Sequence, residues 1–321
     1  MINVAYVFDE NFSDATLVSV LSCMQNNQEE LTFHLITFEK NAHNLKYING
    51  EIALKNHIFK NYLFDINKVN WSLGRMGVRN KSPVNASFSN ATYLKIFIPE
   101  IVQEDRVIFI DSDTLVGTCL RDLWENEMEG KMIAGVFNDG MSNFLEDEED
   151  VFGYKNSDYI NAGVLLMDLE QLRQTEFVSK CQAAYQDYAA KIKFNDQDLI
   201  NLSLKTNKFL LPERFNTFAK FTENKEIVNK KISGLKNSIL HFIGDVKPWQ
   251  SWNIPPFCDL WMRYANLATT KKIELTPITN LAQIIRQGQL LHAYGDYRAA
   301  SSTKSRAIDI LVKELNKKKS E

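Results

Sequence analysis

A chain of 321 residues, 45% hydrophobic and 24% charged, has ordinary globular composition and enough length for one large core plus an extension, which excludes a minimal module or a disordered tail. Lys and Arg number 37 against 40 Asp and Glu, a formal net charge of −3, so the whole molecule has no electrostatic reason to seek nucleic acid. Four scattered cysteines, Cys23, Cys119, Cys181 and Cys258, form no Cys-x-x-Cys pair, which argues against a disulfide framework or a zinc module and fits a reducing cytoplasm.

Ile2 to Phe8 reads as a buried strand that starts directly after Met1, with no basic, apolar leader pattern before it. Ser13 begins a helix to about Gln25, and Leu31 to Phe38 reads as the next strand, making a β-α-β unit with Asp9-Glu10-Asn11 at the carboxyl end of its first strand. Open α/β sheets bind ligands at that end. Ser89 to Ile98 is helix-like and stopped by Pro99, and Arg106 to Ile110 is a short central strand ending in Asp111. Met132 to Phe137 and Gly163 to Leu169 read as further strands, with the acidic stretch Glu146 to Asp150 between them as a solvated loop. Helices follow over Phe177 to Ala190 and Gln197 to Lys205, then strands near Phe209 to Leu211 and Ser238 to Ile243. The alternation predicts a mostly parallel sheet with helices on its faces. Beyond about Pro255 strand signals vanish, and Leu281 to Tyr297 and Arg306 to Leu315 have helical periodicity. The expected division is therefore a catalytic domain over residues 1–255 and a basic helical extension over 256–321, whose cations from Lys271 to Lys319 outnumber its acids. No run approaches the roughly 20 apolar residues of a membrane helix.

Asp111-x-Asp113 presents two carboxylates at a strand mouth, where alternate side chains point the same way and can share one hard cation, Mn²⁺ or Mg²⁺. Alone, such a triplet is as well explained by a surface turn. His241, in the run His241-Phe242-Ile243-Gly244-Asp245-Val246-Lys247-Pro248-Trp249, adds an imidazole for a metal, a glycine that lets backbone approach a phosphate, and a cation just beyond it. Asn161-Ala162-Gly163 precedes a strand, and Asn195-Asp196-Gln197-Asp198 opens a helix. Individually these read as a turn residue, an N-cap and a first-turn acid; together they place amides and carboxylates around one cleft, as a sugar with hydroxyls on all sides needs.

These ordered motifs resemble those of glycosyltransferase family 8, which includes bacterial lipopolysaccharide galactosyl- and glucosyltransferases and glycogenin. The resemblance runs from about Val4 to Trp252. It implies a GT-A fold and a UDP-sugar donor. It also implies Val7 and Asp9 at the uracil, Asn11 near the ribose, and Asp111, Asp113 and His241 on the metal. Ser112, Asn161, Ala162 and Gly163 would line the donor site, Gly244 and Lys247 would hold the diphosphate, and Asp196 with Gln197 would stand at the reacting centre. Lys95, in Ala91-Thr92-Tyr93-Leu94-Lys95, stands where the bacterial members usually carry Arg; it keeps the charge but not the bidentate fork. The resemblance further implies transfer of glucose or galactose with retention at the anomeric carbon. The acceptor would be a lipid-anchored lipopolysaccharide or lipooligosaccharide core, or else a protein or another glycan. A cytoplasmic enzyme, peripheral on the inner membrane through its basic tail, is the corresponding expectation. Asn138 and Asp139 are candidate acceptor contacts.

A rival reading takes Asp111-Ser112-Asp113-Thr114 as the nucleophile loop of a haloacid dehalogenase-type phosphatase. Over a hundred residues precede it, and Trp249 stands four residues after Asp245, where a second metal-binding acid is needed. A sugar-binding scaffold without catalysis is the third alternative. Gln197 is a poor nucleophile, so a same-face displacement through an oxocarbenium-like state is expected over a double displacement.

Overall fold

A computed structural model describes residues 1–65, 90–138, 159–189, 191–192, 194–220 and 222–320. Its strands are β1 (Ile2–Phe8), β2 (Leu31–Phe38), β3 (Ile58–Phe64), β4 (Arg106–Ile110), β5 (Thr114–Val116), β6 (Ile133–Phe137), β7 (Ile160–Asp168), β8 (Lys208–Leu211), β9 (Thr217–Ala219) and β10 (Ile239–Phe242). The helices are α1 (Ser13–Asn26), α2 (Leu45–Leu54), α3 (Ile98–Ile101), α4 (Arg121–Trp124), α5 (Leu169–Gln174), α6 (Phe177–Tyr188), α7 (Asn195–Leu204), α8 (Lys225–Gly234), α9 (Pro255–Ala265), α10 (Leu281–Tyr294) and α11 (Tyr297–Ser320).

Seven strands form one sheet in the order β3-β2-β1-β4-β7-β6-β8. The pairs β1–β2, β2–β3, β1–β4 and β6–β8 are parallel, while β7 runs antiparallel to both β4 and β6. The mostly parallel sheet is thus as the sequence predicts. A second, three-stranded sheet, β5-β10-β9, takes up the His241 strand, which the sequence assigns to the main sheet. β2 is buried at all eight positions, and Val4, Ala5, Tyr6, Ile108, Phe109 and Ile110 are fully buried, because a parallel strand covered on both faces reads as a continuous apolar run.

Three local readings differ. The segment before β4 is a 3-10 helix, Asn90–Phe97, and Pro99 lies in the first turn of α3 rather than ending a helix; in a first turn its missing N–H is no loss. Asn161-Ala162-Gly163 lies inside β7 instead of preceding it. Asp196 is the second residue of α7 and Phe194 is its N-cap; Asp198 reaches back to accept from the Phe194 N–H at 2.7 Å. The stretch Glu146 to Asp150 lies outside the described residues.

Helix α9 buries Phe257, Leu260 and Trp261 in the same cluster as Val4, Tyr6 and Phe242, and Ile273, Leu290 and Tyr294 of the later segments join it. Glu51 of α2, buried, accepts the backbone N–H groups of Thr269 and Thr270. Thr276 pairs with the 249–251 segment through its N–H to Trp249 O at 2.7 Å and its carbonyl from Ser251 N at 3.0 Å. These contacts tie the residues beyond 255 to the strands that carry the site.

Candidate functional site

The large sheet supplies the acids. Val7 and Phe8 end β1, Ile110 ends the adjacent β4, and the chain then leaves through Asp111-Ser112-Asp113 into β5 of the small sheet. The Asp111 N–H still donates to Gly163 O of β7 at 2.7 Å, so Asp111 is fixed on the last rung of the ladder. Ser112 turns inward to Thr16 at 2.8 Å and to Val7 O at 3.4 Å, which locks the crossing segment to α1 and β1. In the small sheet the register sets His241 opposite Thr114, and Phe242 donates to Asp113 O at 2.9 Å. Two sheets therefore meet at one point.

There His241 Nε2 stands 3.3 Å from Asp113 Oδ1 and 4.0 Å from Asp111 Oδ2. One ligand atom from each of Asp111, Asp113 and His241 lies within 4.8 Å of the others. Two hard oxygens and an imidazole nitrogen are a donor set that suits Mn²⁺ and Mg²⁺, and the β4–β5 connection brings both acids to the histidine of β10, so the residues fit a divalent cation. Gly163 makes this approach possible: a Cβ there would stand 2.1 Å from His241 Cε1 and 2.5 Å from its Nδ1. The Gly of the Asn-Ala-Gly run is thus required by packing against the imidazole.

Charges are paired tightly around the acids. Lys247 Nζ donates to Asp113 Oδ2 at 2.6 Å and to Phe242 O at 2.8 Å. Burial works against the Asp113 charge, but Lys247 and His241 outweigh it and hold the carboxyl well below the usual range. Asp111 goes the other way: burial, with its neighbour Asp113, pushes it up to about 6 despite Lys95. Lys95, 3% exposed, donates to Asp111 Oδ1 at 3.0 Å and Ala162 O at 3.1 Å, and pairs with Asp196 Oδ2 at 2.9 Å. An ammonium has three N–H groups, and all three are thereby taken by protein acceptors. Asp196 Oδ1 accepts from Thr92 at 2.5 Å.

Beside this lies a chain of amides. His241 Nδ1 meets Asn216 Oδ1 at 2.9 Å, Asn216 Nδ2 donates to Asn161 Oδ1 at 2.8 Å, and Asn161 Nδ2 donates to Gln197 Oε1 at 3.0 Å. Gln197 Nε2 donates to Tyr159 Oη at 3.1 Å, and Tyr159 donates to Asp198 Oδ1 at 2.5 Å. The sequence reading names Asn161 and Gln197 but misses Asn216 and Tyr159, which sit in no motif and enter only through contacts across the fold, and it gives no role to Thr92, which stands in the Lys95 run.

On the nucleotide side, Asp9 is buried and its Oδ1 caps a short turn by accepting from Asn11 N at 2.9 Å and Phe12 N at 3.2 Å, while Asn11 is exposed. Gly244 has φ +94, a conformation glycine adopts without strain. Trp249, just past Lys247, packs edge-on against Phe12 at 5.6 Å, so the Gly244–Lys247 loop and the Asp9 turn are held together. Asn138 follows β6 and donates its N–H to Tyr159 O at 2.9 Å, whereas Asp139 lies outside the described residues.

Residues 3–253 match the sequence model of glycosyl transferase family 8. The chain belongs to this family. It is 26% identical over 269 residues to the lipopolysaccharide 1,2-glucosyltransferase of Escherichia coli (strain K12), covering 79% of this chain and 75% of that one. It is 24% identical over 291 residues to the lipopolysaccharide 1,3-galactosyltransferase of Salmonella typhimurium (strain LT2), covering 87% of this chain and 82% of that one. Its fold matches the galactosyltransferase LgtC, solved with donor and acceptor sugar analogs, at TM-score 0.67 and 17% identity over 82% of this chain and 96% of that one. The GT8 enzyme is thus a glycosyltransferase of GT-A fold that uses a nucleotide-sugar donor, a glycan acceptor and a divalent metal. Membership sets the phosphatase reading of Asp111 aside. Among the described residues no helix is long and apolar enough to cross a membrane.

Proposed function

We propose that this GT8 enzyme transfers glucose or galactose from the UDP-sugar to a hydroxyl of a lipopolysaccharide or lipooligosaccharide core, with retention at the anomeric carbon. The observation that carries the reading is the meeting of Asp111 and Asp113 from the large sheet with His241 and Lys247 from the small one. The relatives named for lipopolysaccharide glucosyl and galactosyl transfer support the acceptor class. Residues 1–255 would carry the donor site, and 256–321 the extension that faces the acceptor's membrane.

In this site Asp9 and Val7 bind the uracil, Asn11 the ribose, and Gly244 with Lys247 the diphosphate. Lys247, whose Nζ lies against Asp113 Oδ2, would turn its ammonium to the charge that develops on the leaving group. A Mn²⁺ or Mg²⁺ ion held by Asp111, Asp113 and His241 would neutralise that same charge as a Lewis acid. Preorganised cations at a developing anion are commonly the largest catalytic contribution. As the bond from the anomeric carbon to the diphosphate oxygen breaks, its electron pair leaves with UDP. The acceptor oxygen then bonds on the same face and passes its proton to the departing phosphate.

No protein nucleophile is needed for that route, and the bonding here supports it. Gln197 Oε1 already accepts from Asn161 Nδ2 and from Ala162 N, the latter at 3.1 Å, while the two oxygens of Asp196 are held by Thr92 and Lys95. Gln197 and Asp196 therefore orient the sugar. A glycosyl adduct trapped on either would refute this.

Hydrolysis of UDP-glucose and UDP-galactose with Mn²⁺, then transfer to truncated lipopolysaccharide, tests the proposal. Asp113→Ala is expected to lower metal-dependent turnover by about 10²-fold or more, since it removes a ligand and leaves Lys247 unpaired. An Asp113→Ala protein of undiminished activity would sink the metal assignment.

A further inference from the structure

The hydrogen bonds around His241 allow only one arrangement of protons. Gly163 N is a backbone donor, so the Asn161 atom 2.9 Å from it is the oxygen. Asn216 reaches that same oxygen at 2.8 Å and must do so with its NH₂ group. Its other atom, facing His241 Nδ1 at 2.9 Å, is then the carbonyl oxygen, which accepts. His241 Nδ1 must carry the hydrogen. Nε2, the atom that faces Asp113 and Asp111, is then the ring nitrogen aimed at the cation site.

A second backbone donor fixes the other end. Ala162 N at 3.1 Å marks the Gln197 atom beside it as oxygen, so Asn161 donates to Gln197 and Gln197 donates to Tyr159. All these side chains are buried, and Asn216 is 0% exposed. Neither end of the chain can reverse without setting two donors or two acceptors against each other and leaving buried groups unsatisfied.

We infer that Asn216 is a positioning residue that holds His241 in its Nδ1–H form and aims Nε2 at the cation site, and that through Asn161 it ties the metal side of the site to Gln197 on the sugar side. This rests on the metal-dependent reading above. Ligating histidines in general need such a partner on the second nitrogen, and losing it weakens metal affinity by about 10–100-fold. Asn216 is the only group recorded on His241 Nδ1 among the described residues.

The test begins with the metal-free wild-type protein, in which ¹⁵N shifts and ring couplings of His241, assigned by comparison with His241→Asn, report the tautomer. A hydrogen on Nδ1 is expected; a ring protonated on Nε2 alone, or an averaged mixture of the two tautomers, overturns the inference whether or not metal binds. Mn²⁺ affinity is then followed by the electron paramagnetic resonance of the free ion, with near-ultraviolet circular dichroism to check folding. Asn216→Ala is expected to bind Mn²⁺ about 10–100-fold more weakly. Asn216→Asp, which returns an acceptor to Nδ1 but sets a second acceptor against Asn161 Oδ1, is expected to keep the Nδ1 hydrogen and recover part of that loss. A folded Asn216→Ala with wild-type affinity overturns the role. Wild-type protein that holds Nδ1–H yet binds no Mn²⁺ would instead overturn the metal reading and leave Asn216 as the residue that sets the ring.

Discussion

Lys95 shows what one residue does at this site. The sequence places it at the donor site, and in the fold its three N–H groups end on Asp111, Asp196 and Ala162. Burial works against its charge, the two acids outweigh that, and its ammonium is held above the ordinary lysine range. With the folded value raised, its stabilisation is full at neutral pH and is lost only as pH climbs past the lysine range. Lys95→Met should therefore cost about 3 kcal/mol at pH 7.5, because it strands the buried Asp196 carboxylate and leaves the partly exposed Asp111 without its cation. The deficit should shrink as pH falls toward about 6, because Asp111, raised to about 6 even with Lys95 beside it, takes up its proton at higher pH once Lys95 is gone. Urea unfolding of both proteins at pH 5.5 and 7.5 checks this, and an equal deficit at both would contradict it. The sequence shows Lys95 as a cation near a strand mouth; that it faces inward follows from Asp196, 101 positions later, folding onto it. Asp111, Asp113 and His241 were legible because each ends or sits within an apolar strand run. Asn216 was not, because an asparagine before a short strand has no pattern of its own and acquires its role from contacts 25 and 55 residues away.

At the scale of elements, hydrophobic runs gave β1, β2 and β4 within a residue or two, since fully buried strands admit few polar positions. The start of β7 was hidden. Asn and Gly are poor strand residues, and they are tolerated in β7 because Asn161 faces the amide chain and Gly163 must admit the imidazole. Nor could periodicity show that α10 braces the Gly244–Lys247 loop, the proposed diphosphate contact. Gln287 donates to Ser251 O at 2.9 Å, Arg286 lies 3.6 Å from Asp245, and Thr276 pairs with residues 249–251. A chain ended after Thr279 should keep Asp111, Asp113 and His241 but lose the support of Gly244 and Lys247. Fixing one residue costs roughly 1–2 kcal/mol, so UDP affinity with Mn²⁺ should fall at least about ten-fold. Calorimetric titration of the truncated protein measures it; unchanged affinity would show that α9 and the core suffice to hold the loop.

For the molecule as a whole, the Asp111, Asp113 and His241 cluster lies where two sheets meet, and the proposed lipid-anchored acceptor would have to be brought to it. Helix α11 is half packed and half open: Ala300 and Ala307 are buried against the rest of the chain, while Ile308, Leu311, Val312 and Leu315 are 40–59% exposed at helical spacing. The sequence around this stripe is basic, with Lys304, Arg306 and Lys313 beside it. An apolar stripe flanked by cations is what an anionic lipid surface binds, each cation contributing about 1 kcal/mol. The segregated charge was visible in the sequence, but the exposure of the stripe was not, because periodicity alone fits a helix packed on the core equally well. Cosedimentation with phosphatidylglycerol vesicles should capture the protein at low salt and release much of it near 0.5 M NaCl, where screening shortens to roughly 4–5 Å. Vesicles of neutral lipid should capture little. Leu311→Asp with Leu315→Asp should abolish capture while leaving transfer to a soluble acceptor intact, because neither side chain is near Asp113 in the chain or in any recorded contact. Capture that survives both substitutions would place the lipid contact elsewhere on the surface.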